Sequence, residues 1–132
     1  MKKKFALTPS EERVMELLWQ KKRPMTSVEL AEHAEEEQWK SSYVYILIRS
    51  LLKKGMIEVC GSVQYASQYA RQFRPLLTKE EYAAKLALSL NLNSSSVSKV
   101  AVALAEGASA DSEQIIAQLE DMIEQLRQKA EE

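Results

Sequence analysis

Besides 19 Asp and Glu, the residues in this chain with reactive or charged side chains are one histidine, one cysteine, a set of tyrosines and serines, and clustered lysines and arginines. His33 is the only histidine and Cys60 the only cysteine. A catalytic nucleophile needs a base beside it, and a zinc site needs three or four Cys, His or carboxylate ligands. Neither can be assembled from this pair, and no glycine-rich phosphate loop is present, so we expect neither an enzyme nor a bound metal or other cofactor. His33 reads as a helix-surface residue and Cys60 as a small strand residue. The cations and hydroxyls remain. Lys53 and Lys54 close a helical pattern, and Arg71 and Arg74 alternate with Tyr69 and Phe73, which suits contact with phosphates. Ser42, Tyr43 and Tyr45 near the start of the same pattern can donate to or accept from base edges. This is the chemistry of nucleic-acid recognition, although lysines at a helix end also favour the helix dipole.

The charge distribution points the same way. The net charge of −1 over 132 residues divides along the chain: positions 1–75 hold 13 Lys+Arg against 9 Asp+Glu, and positions 76–132 hold 5 against 10. The basic half is the one suited to neutralising phosphates and releasing their counterions. With 45% hydrophobic and 28% charged residues, the composition is that of an ordinary globular protein. No apolar run reaches the length of a membrane span, and the start MKKKFALTPSEE lacks the apolar stretch of a signal peptide, so a cytoplasmic protein without membrane insertion is expected.

These side chains need elements to position them. Thr8-Pro9-Ser10-Glu11 is a capping box with proline at the first helical position, followed by Val14, Leu17 and Leu18 at helical spacing. Thr26-Ser27-Val28-Glu29 is a second box, opening a short helix that ends before the acidic run Glu35-Glu36-Glu37. Ser41 and Ser42 can cap a third helix with Val44, Leu47, Ile48, Leu51 and Leu52 on one face and Gly55 as its stop. From about Met56 to Arg74 the pattern is β-rich and reads as a hairpin. Thr78-Lys79-Glu80-Glu81 is a third box, launching a helix with Tyr82, Leu86 and Leu90. After an interruption at 91–96 comes a small-residue helix, then a last helix capped by Ser109 or Asp111 with Ile115, Ile116, Leu119, Met122, Ile123 and Leu126 on one face. The order α-α-α-β-β-α-α-α describes a mainly α chain with a small β-hairpin: a winged helix-turn-helix over 1–75, in which the third helix enters the major groove, then a helical region over 76–132.

The chain also resembles the penicillinase-repressor (BlaI/MecI/CopY) family. LTPSEERVMELLW at 7–19 is similar to that family's opening helix, Trp39 and the helix ending LLKKGMIE at 51–58 to its recognition helix and following strand, and FRPLLTKEEY at 73–82 to its wing exit. The resemblance implies a homodimeric repressor of a resistance or stress operon, bound to double-stranded operator DNA and released by a membrane sensor-protease or by a metal. The implied DNA-facing set is Ser41, Ser42, Tyr43, Tyr45, Ile46, Arg49, Lys53, Lys54, Arg71 and Arg74. The implied dimer set is Tyr82, Leu86, Leu90 and the stripe from Ile115 to Leu126.

The chain also departs from that pattern. Where the family carries Lys-Thr and Arg-Thr pairs on the reading face, Ser42-Tyr43 and Tyr45-Ile46 stand here, implying an operator that differs from the family's usual one or is bound more weakly. Gly55 and Pro75 are farther apart than in the family, so SVQYASQYARQ is expected to form a longer hairpin tip. Residues 125–132, QLRQKAEE, contain no cysteine, which argues against copper sensing by the family's cysteine-rich route, and VAVALAEG lacks the Asn-Phe bond cut in the sensor-protease branch. Because Tyr43, Tyr45 and Ile46 form an unusually apolar surface for a DNA reader, a winged-helix docking module without specific DNA binding is the alternative reading.

Overall fold

Local capping chemistry sets where most helices begin. In a computed structural model, which describes residues 6–34, 36–108 and 111–131, α1 spans Pro9–Lys21, α2 Ser27–Glu32 and α4 Lys79–Leu88. Each of these three follows a threonine (Thr8, Thr26 and Thr78) in extended backbone, whose hydroxyl accepts from the amide three residues on while a glutamate there accepts from the threonine amide. Two otherwise orphaned donors are satisfied at each start. α3, Ser41–Lys53, is different: Lys40 is its N-cap and makes no side-chain cap, so Ser41 and Ser42 lie inside the helix rather than capping it. Gly55, at φ 73°, takes the left-handed turn that ends α3.

The hairpin consists of β2, Ile57–Tyr65, and β3, Gln68–Pro75, and a two-residue strand β1, Met25–Thr26, pairs with β3 at Phe73 and Gln72. The antiparallel order is β1-β3-β2. The strands remain paired out to Tyr65 opposite Gln68. SVQYASQYARQ therefore lengthens the paired strands rather than forming a long tip, and only Ala66 and Ser67 make the turn. Between Val59 and Gly61 the register shifts, leaving Cys60 as the extra residue of a bulge.

The chain divides into two compact units, Met1–Leu90 and Asn91–Glu132, with α4 in the first. In the first unit Val14, Met15 and Leu18 of α1, Leu30 of α2, Val44, Leu47, Ile48 and Leu51 of α3, and Ile57 and Phe73 of the sheet form one core. α4 is fastened to it: the Leu7 amide donates to the Tyr82 hydroxyl at 3.0 Å, the Trp19 indole donates to the Leu77 carbonyl at 2.9 Å, and the Trp19 and Tyr82 rings lie 6.2 Å apart. Trp19 and Trp39 both pack against this core, in keeping with their reading as packing residues. The second unit holds α5, Ser94–Gly107, capped by Asn93, and α6, Ser112–Glu131. α5 thus starts inside the stretch expected to be an interruption, because the Asn93 side chain accepts from the Ser95 amide. Asp111 caps α6 through the Glu113 amide; Ser109, the other expected cap, lies outside the described residues, as do Glu35 and the lysines at 2–4.

Candidate nucleic-acid interface

The face of α3 that does not enter the core forms the candidate reading surface. Val44, Leu47, Ile48 and Leu51 are buried, and their opposite numbers Ser41, Ser42, Tyr43, Tyr45, Ile46, Arg49 and Lys53 are exposed. Tyr45, Arg49 and Lys53 recur every four residues and so share one row along the helix. Ile46 is 58% exposed and Tyr45 46%, far more than their types need if they only packed. The Tyr43 ring meets Trp39 edge to face, with centroids 5.7 Å apart, which fixes its direction. Lys40, exposed immediately before the helix, adds a cation that the sequence reading passed over; its position one residue ahead of Ser41 was the available signal.

Two expected phosphate contacts have other partners. Lys54 turns inward: its Nζ donates to the Glu11 carboxylate at 2.6 Å and to the Ala6 carbonyl at 3.0 Å. Burial is the largest single influence on Glu11 and would raise its pKa. The hydrogen bonds from Lys54, from Ser50 and from the Thr8 amide together outweigh it and hold the carboxyl below its ordinary range. Arg74 faces Glu58 across the sheet and pairs with it, which raises the guanidinium's pKa through that hydrogen bond. Being exposed, the pair can exchange Glu58 for another anion. Among the described residues Arg49, Lys53 and Arg71 take part in no ion pair.

On the hairpin Arg71 is exposed, and Tyr69, at 71% exposure, is the most exposed of its large apolar side chains. Tyr65 does something the sequence did not signal: its hydroxyl lies 3.1 Å from the Thr26 hydroxyl at the start of α2, tying the outer part of the wing to the helix-turn-helix. Cys60 is exposed and free.

Of the expected dimer set, Tyr82 lies in the first unit. It is 7% exposed and enclosed by α1 and the segment before it. Leu86 packs partly against the same core, whereas Leu90 is exposed. In the second unit neither α5 nor α6 buries a single residue. Ile116, Met122, Ile123 and Leu126 are exposed, and Ile115 and Leu119 are half-buried.

Among the described residues no group of three His, Cys, Asp or Glu side chains could hold a metal ion, and no helix is long and apolar enough to cross a membrane. Three helices, a short first strand and a pinned hairpin with an exposed third-helix face define a winged helix of the transcription-regulator type. The chain belongs to the penicillinase repressor family, whose model matches residues 7–125. Members of that family are transcriptional regulators rather than enzymes. No curated protein matches the chain.

Proposed function

We propose that this repressor works as a homodimer in the cytoplasm, with α3 in the major groove of an operator, the β2–β3 wing on the adjacent backbone, and the second unit pairing the subunits. The observation that carries the reading is the uncovered row Tyr45, Arg49 and Lys53 on the third helix, which in a winged helix-turn-helix enters the major groove. Lys53, Arg71 and Lys40 contact phosphates. Ser42, Tyr43 and Tyr45 meet base edges, and Ile46 suits a thymine methyl. Without the family's Lys-Thr and Arg-Thr pairs the operator differs from the family's usual one or is bound more weakly. By its family the regulated operon is one of resistance or stress; without the Asn-Phe bond of the sensor-protease branch, release follows proteolysis at another bond, a ligand or a partner.

Pairing rests on the second unit. Apolar side chains left in water on both of its helices favour burial against a second copy, at about 1.5–3 kcal/mol for each Leu or Ile fully covered.

A docking module remains the second reading, supported by the exposure of Tyr43, Tyr45 and Ile46. A gel shift with random DNA at two salt concentrations separates the two. A DNA-binding repressor retards the DNA at low salt and loses it as salt rises, whereas a docking module retards nothing at either.

A further inference from the structure

The buried carboxylate of Glu11 has more partners than a helix cap requires. It is 2% exposed. Its Oε1 accepts from the Thr8 amide at 2.9 Å and from Lys54 at 2.6 Å, and its Oε2 accepts from the Ser50 hydroxyl at 2.6 Å. The first contact closes the capping box of α1. The other two come from positions four apart at the C-terminal end of α3, so one side chain grips two successive turns of the candidate reading helix. Lys54 is held in turn by the Ala6 carbonyl.

Apolar packing does not set the rotation of α3 sharply. Contacts among Val44, Leu47, Ile48 and Leu51 are non-directional, and a modest turn about the helix axis keeps most of them. Short charge-assisted hydrogen bonds do not tolerate that turn, and a buried polar group gains specificity of arrangement because its alternatives leave charge unpaired. The same rotation would swing Arg49 and Lys53, the neighbours of Ser50 and Lys54 on the outer row.

We infer that Glu11 is a positioning residue for DNA reading: with Ser50 and Lys54 it fixes the rotation of α3 on α1, and Lys54 acts through Glu11 rather than on phosphate. The inference rests on the proposed role of α3 for its effect on DNA, and on the fold alone for its effect on the helix.

The test compares full-length Glu11→Gln, Lys54→Met, the double variant and Lys53→Gln. Amide exchange is followed over Ser50–Lys54, and binding to a selected operator and to random DNA is measured across salt. In Glu11→Gln, exchange at the end of α3 should quicken and the ratio of operator to random affinity should fall by about tenfold, the scale of one lost base contact, while random binding holds. Lys54→Met should leave the salt slope unchanged, and Lys53→Gln should flatten it by about 0.9. The double variant leaves no lone buried charge, so it should regain thermal stability over either single change without regaining the affinity ratio. Unchanged exchange and ratio in Glu11→Gln would show that packing alone seats α3, and a flattened slope in Lys54→Met would make Lys54 a phosphate contact; either overturns the inference. If the unaltered protein binds no DNA, the reading role of α3 fails separately, and the exchange measurement still decides whether Glu11 seats the helix.

Discussion

Glu11 shows how a single residue links acidity to the fold. Its carboxyl is held below the ordinary value of 4.5 in the folded state, so its contribution to stability is fully present above that value and is lost as pH falls through the folded pKa. Acid unfolding followed by circular dichroism should therefore be shallower in Glu11→Gln than in the unaltered protein; an identical acid limb would mean that other carboxylates carry the effect. Lys54 keeps slight contact with water, so removing it should cost about 3 kcal/mol in urea unfolding, the low end for a broken buried pair. On the outer face, Ser42, Tyr43 and Tyr45 carry hydroxyls and no fixed charge. Replacing one with alanine should alter preference at one or two base pairs, by about 1–3 kcal/mol for a good contact, and leave the salt slope unchanged. Titration of operator variants bearing single base changes measures both quantities.

The wing turn makes a prediction at the scale of the element. Ala66 sits at φ 53° between Tyr65 and Gln68, and Ser67 does not share the positive φ. A positive φ at the first central residue alone is the pattern of a type II′ turn, where glycine is the favoured residue. Ala66→Gly should stabilise the hairpin by about 0.5 kcal/mol, the gain from relieved left-handed backbone less glycine's extra unfolded entropy, as read from the unfolding midpoint.

Several elements were legible in the sequence because their signals are local: three capping boxes and the apolar spacing of α1, α3 and α6 each lie within a few residues. What stayed hidden was non-local. β1 is two residues long and exists only because Phe73 and Gln72 pair with it. Lys54 and Glu11 are 43 positions apart, and nothing near Lys54 marks it as internal, so it read as one more basic residue beside Lys53. Tyr82 has the spacing of an apolar stripe with Leu86, yet its partners Leu7 and Trp19 come from the other end of the first unit. The exposed outer face of α3 was legible as the complement of the apolar stripe; the pairing of Arg74 with Glu58 was not, since it depends on strand register.

For the whole molecule, the proposed roles divide between the two units: a folded reader with its own core, and a helical unit whose apolar side chains want a partner. Changing Leu119 and Ile123 to aspartate together should give monomers in light scattering that bind an operator more weakly, because one half-site supplies only part of the contact energy. A dimer that persists with both changes would move the interface to another face. The most direct test of a dimeric DNA reader is selection of bound sequences from a random DNA pool with the full-length protein. The enriched sequences should form an inverted repeat with half-site centres about 10 base pairs, or a multiple of that, apart, matching the two-fold symmetry of a dimer with one α3 in each major groove. Recovery of no shared sequence under conditions where the protein is folded and dimeric would contradict the reading of DNA by α3.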